Sequence, residues 1–163
     1  MKGKFKKGAI NLFLTTIMIV GVLFSGCGSA ENATSAKIEE FYETVVISQE
    51  CLDSVADDIY RYWYDAIYND KYGGSIDLAI AYAQIDNEEN LATIETNDSN
   101  IKTLYKSIKG SELGEEIKAV MSAYSDYYEF VVNVSGSFNS FSASKEKLKK
   151  ELASALKDLQ LEM

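Results

Sequence analysis

The sequence contains no proline and no histidine. Proline punctuates loops and breaks helices, so its absence across 163 residues points to a helical chain. Without histidine the chain lacks the side chain best suited to proton transfer near neutral pH, and the commonest metal ligand. Hydrolytic chemistry is disfavoured accordingly. Cysteine is scarce: only Cys27 and Cys51 are present. Basic residues are also few, 16 Lys and Arg against 25 Asp and Glu. A chain this acidic repels phosphate backbones, which excludes nucleic acid as the expected partner. Apolar residues make up 47% and aromatic residues 12%, enough to bury a core, so the chain is not a disordered one.

The charge is unevenly placed. Residues 1–26 carry Lys2, Lys4, Lys6 and Lys7 and no acid, so the remainder holds 12 bases against 25 acids, a balance of −13. Residues 31–98 contain 16 acids against Lys37, Arg61 and Lys71, again −13. Residues 99–163 hold 9 of each sign. An acidic first half reads as a solvated face or as a docking surface for a basic partner.

The first residues are organised as an export signal. "MKGKFKK" is cationic, "AINLFLTTIMIVGVLF" is apolar, and "SGC" supplies small residues before a cysteine. The lysines favour the cytoplasmic side, so the residues after the apolar run go outward. The segment is either a cleaved signal or an uncleaved helix at the short limit of a membrane span. Phe24-Ser25-Gly26-Cys27 resembles the lipobox of bacterial lipoproteins, with Phe24 where Leu or Val is usual. The resemblance covers about 30 residues and implies cleavage between Gly26 and Cys27. It further implies a diacylglycerol thioether on Cys27 and an acyl chain such as palmitate on the new amino terminus. Two or three acyl chains anchor a protein stably where one does not. No other cofactor is expected.

The chain thus divides into a signal peptide at 1–26, a flexible tether of small and polar residues at 27–35, and a domain at 36–163. The domain reads as all-α, an antiparallel bundle of about four helices. Ile38, Phe41, Val45, Ser48, Leu52, Val55, Ile59, Tyr62 and Ala66 keep a 3-4 rhythm that predicts one long helix. Gly73-Gly74 ends it and Ser75 is a candidate cap for the next. The second segment presents Ile76, Ile80, Ala83, Leu91, Ile94, Ile101, Leu104 and Ile108 on one face, with a break expected at Asp86 or Asn87. The third starts near Ser111 or Glu112 and buries Ile117, Val120, Met121, Tyr124, Tyr128 and Val131. Around Ser135-Gly136 a hairpin competes with a helix break. The spacing of Phe138 and Phe141 favours the break, with Ser142 or Ser144 capping a last helix that buries Leu148, Leu152, Ala155, Leu156 and Leu159.

No motif for a specific chemistry is present, and a non-enzymatic role is expected. No acid cluster has metal-ligand spacing, so no metal site is expected. With Cys27 lipidated, Cys51 has no disulfide partner and reads as a half-buried small residue. "DDIYRYWYDAIYNDKY" packs six large aromatic rings into thirteen residues among four acids, and a helix cannot bury them all on one face. Tyr60, Arg61, Tyr62, Trp63, Tyr64 and Tyr68 are therefore the candidate interaction surface, since rings with polar tips suit protein interfaces. The competing reading is a bundle whose wide grooves take the tyrosines. The expected function is binding of an unknown protein partner at the cell envelope by a membrane-anchored, extracytoplasmic module. A narrower form, by analogy of size and location, is a prophage-type exclusion lipoprotein. A different class is a small-ligand-binding or sensing lipoprotein, motivated by Asn87, Asn90 and Asn97 near the core face.

The anchor has a direct test. Mass spectrometry of the mature protein should find a diacylated, N-acylated Cys27 as the first residue, and Cys27→Ser should release the protein from membranes or leave residues 1–26 attached. An unmodified Cys27 joined to Gly26 overturns the assignment.

Overall fold

The computed structural model describes residues 30–163, with side chains from residue 32. The elements are α1 (Ala30–Tyr68), a short 3-10 turn (Lys71–Gly74), α2 (Ile76–Asp86), α3 (Glu88–Ile108), α4 (Gly114–Val132) and α5 (Phe138–Glu162). Among the described residues there is no strand. α1 runs up, α2 and α3 descend as one broken arm, α4 rises and α5 descends. Cross-helix pairs fix these directions: Tyr62 with Asp86 and Ser54 with Asn87 for the descending arm, Lys145 with Asp57 and Lys149 with Asp53 for α5, and Leu113 near Ile38 with Tyr127 on Asp53 for the parallel α1–α4 pair. Cys27 and Gly26 lie outside the described residues, as does the expected signal peptide.

α1 carries the core along most of its length. Ile38, Phe41, Val45, Ser48, Leu52, Val55, Ala56, Ile59, Trp63 and Ala66 are buried. At the upper end the expected stripe is corrected. Trp63, not Tyr62, occupies the buried position, because both positions follow Ile59 at helical spacing and the larger apolar ring fits between α1 and α5. Tyr62 keeps its hydroxyl at the surface, donating to Asp86. The expected tether is also shortened: α1 begins at Ala30, so residues 30–35 are helical. Extending an existing helix by good formers such as Ala30, Ala33 and Ala36 costs far less than nucleating one.

The break between α2 and α3 falls at Asn87, as expected, but Asn87 does not cap α3 with its side chain. Its amide is buried and reaches across to α1. Nδ2 donates to Asp58 Oδ2 at 2.8 Å and to the Ala83 carbonyl at 3.0 Å, while Oδ1 accepts from Asn90 at 2.8 Å. A polar side chain inserted at the bend explains the kink in a proline-free chain.

α4 starts at Gly114, slightly later than the composition suggests. A β-carbon on Gly114 would lie 2.7 Å from the Lys109 carbonyl oxygen, so the tight turn from α3 requires glycine. Between α4 and α5 the chain makes a short bend at residues 133–137. The cap is Ser137 rather than Ser142 or Ser144: its side chain accepts from the Ser140 backbone, and Ser140 returns the bond to the Ser137 amide. Phe138 and Phe141 then fall in the first turn of α5, and the hairpin alternative is corrected to a helix start. Phe141 is fully buried, 4.7 Å from the ring of Phe130 and 5.5 Å from that of Trp63.

A polar seam joins α1 to α5. Lys145 is buried and pairs with Asp57, with its ammonium 4.9 Å from the Tyr60 ring centre. Lys149 pairs with Asp53 at 2.9 Å, and Asp53 also accepts from the Tyr127 hydroxyl at 2.7 Å. Two lysines of the balanced second half thus neutralise two acids of the first. Burial pushes the Tyr127 phenol far above its ordinary value, with the Asp53 hydrogen bond adding to it. Burial also raises Tyr124, which faces Ser48.

Both phenols are neutral in the folded protein and titrate near 10 when unfolded. Their contribution is complete below pH 10 and is lost as pH rises above it, because only the unfolded chain releases these protons. Each phenol should steepen the fall of stability above pH 10 by about 1.4 kcal/mol per pH unit. Urea titrations of Tyr124→Phe at pH 9 and pH 11 should show a smaller loss between the two than the parent. An equal loss would place Tyr124 in a hydrated site.

Candidate interaction site at the aromatic end of the bundle

The six residues expected to form one surface are divided by the structure into three sets. Trp63 is removed from the surface altogether, at 3% exposure, with its ring 6.0 Å from Phe138 and 5.5 Å from Phe141. It is a core residue, and its assignment to the interaction surface is corrected. Positions 62 and 63 both follow Ile59 at helical spacing, and the packing of Phe138 and Phe141 on the ring at 63 decides which is buried.

Tyr60, Tyr64 and Tyr68 form the second set, one turn apart on the side of α1 that borders α5. They gather around Phe138, whose ring stands 5.0, 6.2 and 6.1 Å from theirs, and Tyr64 and Tyr68 approach each other to 4.6 Å. Tyr60 is half-buried, whereas Tyr64 and Tyr68 are 42% and 59% exposed. Ring pairs at these spacings contribute about 0.5–1.5 kcal/mol each beyond area burial. The exposed rings are therefore held in place before any partner arrives.

Arg61 and Tyr62 form the third set, on the side of α1 that borders α2. Arg61 pairs with Asp58 at 2.5 Å and lies 4.6 Å above the Tyr62 ring. Burial works to raise the Asp58 carboxyl, but hydrogen bonds from Arg61 and Asn87 prevail and hold it below the usual carboxylate range. Tyr62 stacks on Tyr72 at 5.3 Å, and Tyr72 meets Tyr82 of α2 at 5.6 Å. Tyr72 has φ 57°, left-handed backbone that a bulky residue adopts rarely. Such a conformation costs about 1–3 kcal/mol and is kept only where neighbours over-determine it. Here the neighbours are the two tyrosine rings and the 2.5 Å Lys71–Asp65 pair just before it. Tyr72, Tyr82 and Phe138 are the members that periodicity missed. Phe138 is brought in from α5 by tertiary packing, which no local pattern reports.

The remaining candidates are accounted for within the fold. Asn87 and Asn90 commit their amides to α1, Asn90 donating to Ser54 at 3.2 Å, so two of the three asparagines that suggested a small-ligand site are taken up by the protein itself, and Asn97 is half-buried farther along α3. An open groove of about 750 Å³ lies at the opposite end, where Thr34, Ile38, Ser111, Leu113 and Met163 converge. Cys51 is half-buried, and burial, with Glu50 beside it, pushes its thiol up, away from the reactive thiolate. Among the described residues no group of three acids or cysteines is placed to hold a metal ion, and no helix is long and apolar enough to cross a membrane.

The division between core and surface rings gives a test. Trp63→Ala should cost about 3–5 kcal/mol in chemical denaturation, whereas Tyr68→Ala should stay within about 1 kcal/mol. Equal losses would contradict the assignment of Trp63 to the core and Tyr68 to the surface. Comparison of this chain with protein-family models, with curated proteins and with solved structures finds no match, so its functional reading is drawn from its own residues and geometry.

Proposed function

We propose that this chain is a lipid-anchored, extracytoplasmic docking protein, a non-catalytic helical bundle that offers an aromatic surface to a protein partner at the cell envelope. The observation that carries the reading is the pair Tyr64 and Tyr68, solvent-exposed yet held by ring packing on Phe138. Preorganised aromatic rings lose little entropy on binding, which is what makes tyrosine effective at interfaces. The location rests on the resemblance of residues 24–27 to a lipobox. With an anchor at Cys27, the geometry of α1 suits display. Its 39 residues rise roughly 58 Å at 1.5 Å each, and the aromatic rings stand at the end remote from Ala30. The prophage-type exclusion form is a special case in which the partner arrives from outside the cell.

Affinity capture from membranes with the full chain should recover a partner that is lost with the Tyr64→Ala/Tyr68→Ala double variant while helix content is kept. Undiminished recovery with that variant overturns the aromatic-surface reading. Cells expressing the parent and the Cys27→Ser variant, challenged with phage, separate the exclusion form from the general one.

A further inference from the structure

α2 is close to inside out. Its fully buried residues are small, Ala79 and Ala83, and of its large apolar residues only Ile80 packs on the core, while Ile76, Leu78, Tyr82 and Ile85 are exposed. Leu78, Ala81, Tyr82 and Ile85 fall at i, i+3, i+4 and i+7, a second apolar stripe on the outer side. Leu78 is 52% exposed, Tyr82 48% and Ile85 64%. Within the described residues α2 packs on α1, the 3-10 turn and α3 and reaches neither α4 nor α5, so nothing in the bundle covers this stripe. A shallow groove of about 640 Å³ continues it onto α3, lined by Ala81, Ile85, Leu91, Glu88 and Glu95.

The charge around the stripe states what can cover it. From residue 72 to residue 101 there is no lysine or arginine, and Asp77, Asp86, Glu88, Glu89, Glu95 and Asp98 are all acidic. Asp98 pairs with Lys102 at 2.7 Å and Asp86 accepts from Tyr62. Among the described residues no cation pairs with Asp77, Glu88, Glu89 or Glu95, which border the stripe and its groove. A second copy would bring the same acids face to face. A membrane of anionic lipid is repelled for the same reason. An apolar stripe with a cationic border meets both requirements.

We propose that the outer face of α2 binds a cationic amphipathic helix of a partner protein, its apolar residues on Leu78, Tyr82 and Ile85 and its lysines or arginines against Asp77, Glu88 and Glu95. The proposal rests on the docking reading and adds to it a second contact face and the chemistry of what lies there. The Tyr62–Tyr72–Tyr82 ladder fixes the upper end of the face, and the Asn87 network fixes the lower end, so it needs no rearrangement to bind. Helix-in-groove recognition with anchors at i, i+3, i+4 and i+7 is the mode it fits.

The test uses the full chain in phosphatidylcholine nanodiscs, with empty discs as background. Two fluorescent amphipathic peptides of about fifteen residues share one leucine face, and carry either lysine or glutamate elsewhere. The lysine peptide should bind at least about tenfold more tightly than the glutamate peptide, by more at low salt than at high salt. The Leu78→Ser/Ile85→Ser variant should lose about tenfold, and Glu88→Lys/Glu95→Lys should reverse the preference towards the glutamate peptide. Both pairs are surface changes whose helix content is checked by circular dichroism. Equal binding of the two peptides, or no effect of either variant, overturns the proposal. So does sedimentation that shows a dimer abolished by Leu78→Ser/Ile85→Ser, which would assign the face to a second copy. Peptide binding should survive Tyr64→Ala/Tyr68→Ala. If membrane capture depends on those tyrosines while the peptides do not discriminate, the α2 face fails and the docking reading stands. The converse result removes the aromatic surface and keeps the α2 face.

Discussion

Every helix of this bundle touches α1, and α1 has only one stripe to give them. A helix of 3.6 residues per turn presents a single continuous face to a core. From Ile38 to Ala66 that face is committed. The aromatic run of residues 60–72 is laid on top of a stripe already in place, so its rings are sorted by angle. Trp63 falls on the core line, Tyr60, Tyr64 and Tyr68 fall towards α5, and Tyr62 falls towards α2. The exposed rings arise from the same periodicity that builds the core. Changing their positions by one residue would turn each ring by about 100° around α1 and break this sorting.

Charge is sorted by the same geometry. The acids of α1 that face α5 meet lysines there, Asp57 with Lys145 and Asp53 with Lys149. Lys145 is buried, so its pairing with Asp57 and its contact with the Tyr60 ring are needed to offset desolvation. Among the described residues, α2 and the start of α3 have no cationic neighbour of this kind. The acidity that the composition shows as a property of the first half is thus offset by lysines along the upper part of α1 and left without them on α2 and the start of α3.

Much of the architecture was legible from spacing alone. The all-α bundle, the break at Asn87 that makes five helices of the expected four, most of the core line of α1 and the half-buried Cys51 all come from periodicity and turn residues, which act locally. The features that were not legible depend on distant residues. Trp63 and Tyr62 are equivalent by spacing, and Phe138, seventy-five positions away, decides between them. The cap at Ser137 is hidden among several serines, and only the reciprocal Ser140 bond selects it. Ile76 and Ile80 were expected to face the core with Ala83; Ile80 does pack on it, but Ile76 is 38% exposed and alanines take the fully buried positions. Volume decides this: alanines let two helices approach more closely than isoleucines do. The signal missed was that α2 is apolar on all sides, a pattern that in a small bundle leaves one face without a partner.

Apart from the Tyr82 ring, which packs on Tyr72, that leftover face makes no contact the fold needs. Ala79 and Ala83 hold α2 on α1, and Asn87 locks the junction through Asp58 and the Ala83 carbonyl. Polar residues at Leu78 and Ile85 would leave those contacts intact. Exposed apolar stripes of this kind invite association with other surfaces. The acids beside the stripe limit that association to cations, since like charge set against like charge works against both self-pairing and anionic membrane. The aromatic ladder at the other edge has the opposite character, neutral and rigid, with Tyr72 held in left-handed backbone between Tyr62 and Tyr82. In the proposed complex a partner helix would set its cationic residues against Asp77, Glu88 and Glu95, and the rigid rings would limit the shapes that fit between them.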